Sequence, residues 1–171
     1  SIVELNGQLY LFYHNRSVEK AMGITGNYRS PQVNAITTSG TTLNSVTGTM
    51  AGIAQLKTLS PYQTVQAETM SNQSCDISVS GLGDTVVSGT KGSWIKASGV
   101  NFSSSASTLA VKASSKNGAV IKVCTGSTDG TAITYAEIPA GGTMSEITVP
   151  VVNSVSGSND VYFVFSGDVS F

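Results

Sequence analysis

Short runs of β-branched and aromatic residues recur along the chain, with Gly, Ser and Asn between them. Beyond residue 60 these runs lie at the spacing typical of a β-sandwich. The strands predicted in this region are Thr64–Thr69, Ser93–Lys96, Thr108–Ala113, Ala119–Cys124, Thr131–Ile138, Glu146–Val151 and Val161–Phe165. We therefore predict an all-β fold, with an antiparallel β-sandwich over residues 61–171.

The first fifty residues contain a strong hairpin signal. Asn6-Gly7 lies between Ile2–Leu5 and Gln8–His14, and an Asn-Gly pair between two strand-like runs favours a two-residue turn. The second of these strands is rich in aromatic residues and is predicted to be buried on both faces. Residues 15–30 are predicted to be irregular.

A second hairpin is predicted around Ser39-Gly40, between the runs 31–37 and 42–47. The four strands of the two hairpins predict one propeller-like sheet, which is too small to bury a core alone. Leu59–Tyr62 has the composition of a linker or a domain entry. We therefore divide the chain into residues 1–60 and 61–171.

Both ends of the chain lie in strand-like sequence. Ile2–Leu5 already reads as a strand, and Val169–Phe171 reads as the beginning of another. We expect the chain to be a piece of a larger gene product.

Charge and hydropathy exclude two classes of partner. The 171 residues include 9 Lys and Arg and 10 Asp and Glu, for a formal net charge of -1. A nucleic-acid binder needs clustered basic residues, and a membrane-spanning helix needs about 20 consecutive apolar residues. We predict neither a nucleic-acid nor a membrane partner.

The two cysteines leave two interpretations open. Cys75 and Cys124 are far apart and form no Cys-x-x-Cys or Cys/His spacing, which disfavours a zinc site. One disulfide, as in a secreted protein, and two buried free thiols remain equally consistent with the sequence.

Several segments resemble two known families. Val3–Asn15 and Gly26–Val33 resemble the closing blade of the five-bladed propeller in glycoside hydrolase family 43, in particular the arabinoxylan arabinofuranohydrolases and related xylosidases. Val65–Thr69, Lys91–Phe102 and Asp160–Phe165 resemble a carbohydrate-binding module of family 6. The two parts follow one another in this order in such enzymes.

The resemblance implies a jelly-roll, lectin-like sandwich preceded by propeller strands. It implies a secreted, extracellular bacterial enzyme that removes arabinose or xylose from arabinoxylan. The implied partners are plant cell-wall polysaccharide and the N-terminal propeller part of the same enzyme.

The resemblance places the catalytic carboxylates on earlier blades. Glu4 and Glu19 are the acids of the propeller part here, and they do not form the bracketing pair that an inverting enzyme needs. No catalytic residue is predicted in this chain. The resemblance assigns His14 to a calcium ion on the propeller axis, with a core histidine as the alternative. It assigns Arg29 to the substrate pocket, with a plain surface arginine as the alternative.

A second calcium site is implied in the sandwich. Gln66 and Glu68 are two apart on a predicted strand, so that both would point to one face and offer oxygen ligands. An exposed polar face is the alternative. The family's further acidic ligand lies in the last strand, and Asp168 comes too early in the pattern to replace it with certainty.

The sugar-binding positions of the resembling modules are changed in this chain. The resemblance places one aromatic ring near Val87-Ser88, a second near Gly141–Thr143 and an asparagine near Ser170, and none of the three is present. Sugars stack on aromatic rings through their apolar C–H face, so the usual cleft is predicted to be degenerate. Trp94 is interpreted as a core residue rather than a platform. Tyr62 and Tyr135 are candidates for exposed rings.

Three functions are consistent with these observations. The first is an accessory carbohydrate-binding module of an arabinoxylan-degrading enzyme. The second is a structural sandwich that stabilises the propeller and binds no sugar, which the missing aromatic residues favour. The third is a free-standing lectin-like or adhesion protein, in which residues 1–50 would have to fold without other blades.

Overall fold

A computed structural model describes residues 1–81 and 85–171. The chain divides into two units, Ser1–Ala54 and Gln55–Phe171. The sequence places the division near residue 60, whereas residues 55–60 lie with the second unit. Gln55 Nε2 donates to the carbonyl of Ser98 at 2.9 Å, and Leu59 bridges to Val100 in parallel register.

The first unit contains a three-stranded antiparallel sheet in the order β1-β2-β3. The Asn6-Gly7 turn is confirmed: both residues have positive φ, 53° and 77°, and Leu5 pairs with Gln8. Positive φ at both central positions matches the twist of a tight hairpin. The elements of this unit are β1 (Ile2–Leu5), β2 (Gln8–Asn15), α1 (Ser17–Ala21), β3 (Ser30–Ile36), β4 (Thr38–Ser39) and β5 (Thr42–Leu43).

Three predictions for this unit are wrong. The four-stranded sheet does not form, because β4 and β5 pair only with each other and Asn44 closes the loop by donating to the carbonyl of Thr37 at 2.9 Å. In the strand β2, Phe12 is 47% exposed although Tyr10, on the same face, is 7% exposed. The opposite face is only partly buried, so the strand is not buried on both faces. The segment predicted to be irregular contains α1.

The second unit confirms the antiparallel β-sandwich. One sheet has five strands in the order β12-β11-β14-β9-β6, and opposite it lie a three-stranded sheet, β15-β8-β7, and the pair β10-β13. The strands are β6 (Asn72–Gln73), β7 (Ser78–Ser80), β8 (Val86–Gly89), β9 (Trp94–Phe102), β10 (Thr108–Ala113), β11 (Ala119–Thr125), β12 (Ala132–Ile138), β13 (Ser145–Pro150), β14 (Gly157–Phe165) and β15 (Val169–Ser170).

The core of the sandwich is drawn from all of these sheets. Phe165, Ile121 and Val87 are at most 2% exposed and belong to one continuous apolar cluster. In β10 the buried residues alternate with exposed ones, as expected for a strand with one face on a core. No helix in the described ranges 1–81 and 85–171 is long and apolar enough to cross a membrane.

The predicted strand Thr64–Thr69 is wrong. Ala67–Thr69 forms a 3-10 helix, in which Thr69 and Met70 donate their N–H groups to the carbonyls three residues earlier. The hydroxyl of Thr69 also donates to the carbonyl of Gln66 at 2.6 Å. Such local side-chain bonding competes with strand pairing.

Candidate functional site

A cleft opens at one edge of the sandwich, where β8 and β15 pair and two loops meet them. Ser88 pairs with Ser170, and their hydroxyl oxygens lie 2.8 Å apart. Ser114 bridges to Ser170 through two backbone hydrogen bonds of 2.8 and 3.0 Å. The N–H of Gly142 donates to the carbonyl of Ser115 at 2.9 Å, which joins the loop after β12 to the loop after β10.

We call this feature the loop cleft. Its volume is about 430 Å³, within the range of small-molecule sites. Most of the residues that line it have polar side chains, which include hydroxyl groups and three charged groups. The residues that line it are Asp76, Ser78, Ser88, Gly89, Thr90, Ser114, Ser115, Lys116, Gly142, Asp168, Val169 and Ser170.

Ser115 is the unusual residue of the loop cleft. It is 3% exposed, and its hydroxyl oxygen has no hydrogen-bond partner among the described residues. Buried polar groups are nearly always paired, because an unpaired one has lost its water without replacement. The Ser115 hydroxyl is therefore a buried unpaired group, and its oxygen has almost no accessible surface.

A second buried serine, Ser93, is fully paired. Its hydroxyl donates to the Asp76 carboxylate at 2.5 Å and accepts the N–H of Thr90 at 2.7 Å. Hydrogen bonding by the hydroxyls of Ser74 and Ser93 lowers the pKa of Asp76 to about 2. The carboxylate of Asp76 is thus held in the ionised form at the wall of the cleft.

No aromatic side chain lines the loop cleft in the described part of the chain. Ser88, Gly142 and Ser170 come from the stretches where the sequence places the two rings and the asparagine of the resembling modules. Those stretches lie together at one cleft, and small residues occupy them. Asp76, Ser115 and Lys116 were missed, because single hydroxyl and charged residues in loops form no sequence motif.

The aromatic residues lie elsewhere in the sandwich. The rings of Trp94 and Tyr162 are 5.5 Å apart and tilted by 56°, on the side of the five-stranded sheet that faces away from the core. The interpretation of Trp94 as a core residue is wrong, because Ile95, its neighbour on β9, takes the core side and leaves Trp94 half-buried. Lys96 and Asp160 complete what we call the aromatic face.

The two charged groups of the aromatic face form an ion pair with each other. Lys96 Nζ lies 2.7 Å from Asp160 Oδ2 and 5.6 Å from the centre of the Tyr162 ring. The hydrogen bond between the two charged groups raises the pKa of Lys96 and lowers the pKa of Asp160. Asp160 also accepts the N–H of Gly99 at 3.1 Å.

Tyr62 and Tyr135 are exposed, as their sequence context indicated, at 47% and 51%. The Tyr62 hydroxyl bonds to the backbone of Ser104, which anchors the ring. Tyr135 and Glu137 lie at a shallow depression beside Pro150 and Val152. Neither tyrosine lines the loop cleft.

In the first unit the structure brings the two predicted site residues together. Arg29 Nη1 lies 3.0 Å from His14 Nε2, and both residues are exposed. Since a guanidinium can only donate, His14 accepts through Nε2 in this arrangement. The predicted roles of His14 in calcium binding and of Arg29 in substrate binding stay predictions.

Glu19 is a buried, hydrogen-bonded carboxylate of the first unit. It is 2% exposed, pairs with Arg16 at 2.8 Å and accepts the N–H groups of Gly26 and Asn27. Hydrogen bonding by Arg16 and Gly26 lowers the pKa of Glu19 to about 2. This carboxylate anchors the loop that follows α1.

The proposed calcium ligands of the sandwich do not lie on a strand. Gln66 precedes the 3-10 helix with an extended backbone, Glu68 lies within the helix, and both are exposed. The strand alternation from which a shared face was predicted is therefore absent here. In residues 1–81 and 85–171, no three His, Cys, Asp or Glu side chains gather as a metal site. Calcium binding by Gln66 and Glu68 stays a prediction.

Both cysteines are free thiols, so the disulfide alternative is wrong. Cys75 is exposed rather than buried, whereas Cys124 is buried in β11. Burial raises the pKa of the Cys124 thiol, which lies 3.2 Å from the carbonyl oxygen of Ser127.

A two-sheet sandwich with a polar cleft at its loop edge has the architecture of a lectin-like binding module. The family described as carbohydrate binding module (family 6) matches residues 66–170, which include the whole loop cleft. The chain therefore belongs to this family.

Relatives extend the similarity to the first unit. The chain is 29% identical to an arabinoxylan arabinofuranohydrolase of Paenibacillus polymyxa, over 99% of this chain and 29% of that protein. The crystal structure of a glycoside hydrolase family 43 arabinoxylan arabinofuranohydrolase from Bacillus subtilis, in complex with cellotetraose, superposes with a TM-score of 0.89. That pair is 26% identical and covers 99% of this chain and 38% of the other.

A family 6 module from Clostridium cellulolyticum in complex with xylose superposes with a TM-score of 0.58 at 26% identity, over 64% of this chain and 89% of that one. The chain thus spans about a third of the two arabinofuranohydrolases and most of an isolated module. The resemblance to both families is confirmed.

Proposed function

We propose that this chain is the carbohydrate-binding portion of a secreted arabinoxylan-degrading glycoside hydrolase, and that its sandwich binds xylan-type polysaccharide of the plant cell wall. The observation that carries the proposal is the loop cleft. It combines a ligand-sized volume, a hydroxyl-rich lining and the three stretches at which the resembling modules hold sugar.

Depletion of the chain from solution by insoluble arabinoxylan tests this function. We expect depletion by arabinoxylan and none by starch, since the cleft would have to match a particular arrangement of hydroxyls. Insoluble xylan with its side chains removed serves as a second matrix. Failure to bind arabinoxylan at low ionic strength would contradict the proposal.

The aromatic-free lining specifically favours a second function, a structural sandwich that binds no sugar. The absence of each ring removes about 1–2 kcal/mol of favourable binding free energy, which lowers the affinity for unsubstituted xylan. The two functions differ in the depletion experiment, because a purely structural sandwich would remain in solution with every polysaccharide.

The exposed apolar residues of the first unit favour its packing against further propeller blades. Ile2, Val3, Leu5 and Phe12 are each 45–47% exposed on the three-stranded sheet. Exposed apolar groups of this kind favour association with a further surface. We propose that the N-terminal propeller part of the enzyme supplies that surface. Co-purification of a separately expressed propeller with this chain, and its loss in Phe12→Asp, would support this partner; independent behaviour of the two polypeptides would contradict it.

A further inference from the structure

Three charged side chains line the loop cleft, and two of them are carboxylates. Asp76, Lys116 and Asp168 are all exposed, and none of the three is in an ion pair with another described residue. Two carboxylates and one ammonium give the lining a formal charge of -1. Because these side chains are exposed, a ligand in the cleft can reach them.

The carboxylate of Asp76 is held in place by hydrogen bonds. The hydroxyls of Ser93 and Thr90 both donate to Asp76 Oδ2, at 2.5 and 3.1 Å. Ser93 is fully buried, so this anchor belongs to the packed interior of the sandwich. A carboxylate has about four acceptor positions, and Asp76 therefore keeps acceptor capacity for a ligand. Asp76 presents a negative charge at a fixed place in the wall of the cleft.

Asp168 projects from a backbone that is held on two sides. Val169, the next residue, is 2% exposed and pairs with Gly89 of β8. Ser170 exchanges two backbone hydrogen bonds with Ser114. Because the side chain of aspartate is short, with few rotamers, its carboxylate stays close to this backbone. Asp168 is thus a second negative charge whose position is fixed.

The ammonium of Lys116 is held less firmly. Gly141 donates its N–H to the carbonyl of Lys116 at 3.1 Å, and this bond fixes the backbone only. The side chain is exposed and has four rotatable bonds, so holding it against an anion costs conformational entropy. The fixed charges of the cleft are therefore negative, and its positive charge is mobile.

This arrangement of charges separates two classes of saccharide. The hydroxyl groups of a neutral saccharide can donate to the carboxylates, and such charge-assisted hydrogen bonds are stronger than neutral ones. A saccharide that carries its own carboxylate, such as the uronosyl side groups of xylans, brings a negative charge close to two fixed negative charges. Lys116 can offset only one of these, and the remaining like charge repels the ligand.

We propose that the loop cleft is selective for neutral saccharides, and that the carboxylates of Asp76 and Asp168 accept their hydroxyl groups and exclude saccharides that carry a carboxylate. This inference rests on the proposed function and names the class of ligand that the same cleft accepts. The module would then direct the enzyme to regions of xylan that are free of acidic side groups.

Calorimetric titration of the 171-residue chain with two matched xylo-oligosaccharides tests the inference. One carries a single uronosyl side group, and in the other the carboxyl of that group has been reduced to a primary alcohol. At an ionic strength of about 10 mM we expect the neutral ligand to bind roughly tenfold more tightly, a repulsion of the order expected for one uncompensated charge near a protein surface. The ratio should approach one in about 0.5 M sodium chloride, because salt screens exposed charges.

Two variants assign the effect to the cleft. Asp168→Asn keeps the size of the side chain and removes its charge, so the ratio of affinities should fall close to one. Asp129→Asn makes the same change at an exposed aspartate that does not line the cleft, and it should leave the ratio intact. If Asp168→Asn fails to fold, the salt dependence of the wild-type ratio still decides whether charge causes the selectivity.

The possible outcomes distinguish this inference from the proposed function. Equal affinity for the two ligands, tighter binding of the acidic one, or a ratio unchanged in Asp168→Asn would overturn the inference while leaving the proposed function intact. Depletion by insoluble arabinoxylan without binding of either oligosaccharide would also overturn the inference alone. Binding to none of the three would overturn both.

Discussion

A sugar site usually combines aromatic rings with free hydrogen-bonding groups. In this domain the rings lie on the aromatic face, whereas the free hydrogen-bonding groups line the loop cleft. The aromatic face holds the Trp94–Tyr162 pair, and its charges already bond to one another. The loop cleft has no described aromatic residue but holds a buried hydroxyl and three charged groups that have no hydrogen-bond or ion-pair partner, respectively, among the described residues. Open hydrogen-bonding capacity, rather than the presence of aromatic rings, thus marks the candidate site in this domain.

The largest effect is expected at the floor of the cleft. A Cβ at Gly89 would lie 2.7 Å from Ile77 Cδ1 and 2.8 Å from atoms of Phe165 and Ser93. Gly89→Ala should therefore lower the free energy of unfolding by about 2–3 kcal/mol, through overpacking of a dense core. Gly167→Ala is the control, since its nearest neighbour would be 3.4 Å away, and it should stay near wild type in urea unfolding. Equal stability of the two variants would contradict a packed floor.

The two buried serines should respond in opposite directions. Ser93→Ala removes one of the hydrogen bonds to the Asp76 carboxylate and leaves the N–H group of Thr90 without its side-chain acceptor. We expect a loss of about 2 kcal/mol in unfolding free energy. Ser115→Ala removes an unpaired hydroxyl and should leave stability unchanged or raise it. A marked loss of stability in Ser115→Ala would show that this hydroxyl has a structural partner.

On the aromatic face, Asp160→Asn should lower the free energy of unfolding by less than about 1 kcal/mol, because the ion pair of Asp160 with Lys96 is partly exposed.

A ring introduced into the cleft should change its selectivity. Ser88→Tyr places an aromatic side chain where the resembling modules carry one, and aromatic residues suit a strand position. We expect an affinity gain of about 1 kcal/mol for a xylo-oligosaccharide without side groups. Calorimetry on the variant and on wild type measures it. An unchanged affinity would mean that the missing ring does not explain weak backbone binding.

Acid should weaken the sandwich through the wall of the cleft. The pKa of Asp76 is about 2 in the folded chain against an ordinary value of 3.8, so the folded state favours the ionised form. Its contribution to stability is complete above about pH 4 and is lost as the pH falls towards 2. Asp76→Asn should therefore flatten the dependence of thermal stability on pH in this window. An identical slope in the variant would contradict the lowered pKa of the Asp76 carboxylate.

The sequence predicts long, alternating strands well and short ones poorly. Thr108–Ala113 is found at its predicted bounds, and the Asn6-Gly7 turn forms, because alternation and turn chemistry act locally. The short strands β6, β7 and β8 were missed, since two to four residues carry no period. The strand β15 begins at Val169, where the sequence indicates the start of a strand. The strand predicted over Thr64–Thr69 does not form, because the hydroxyl of Thr69 donates to the carbonyl of Gln66 and this hydrogen bond favours a 3-10 helix.

The candidate site depended on the resemblance more than on the residues. The positions near Ser88, Gly142 and Ser170 could be predicted from the family pattern, and they lie at one cleft. Ser115 could not be predicted, because its significance is an unpaired oxygen at 3% exposure, a property of packing. Trp94 was misassigned because a strand residue can lie on either face of its sheet. The sequence does not specify the face, which is determined by the register with β14.

The most direct test is two-dimensional NMR of the 15N-labelled chain during titration with an arabinoxylan oligosaccharide. We expect shifts in the backbone amide signals of Ser88, Ser115, Gly142 and Ser170, while the indole N–H signal of Trp94 stays in place. Movement of the Trp94 indole signal with unchanged amide signals at the loop cleft would contradict it, because the sugar would then bind the aromatic face.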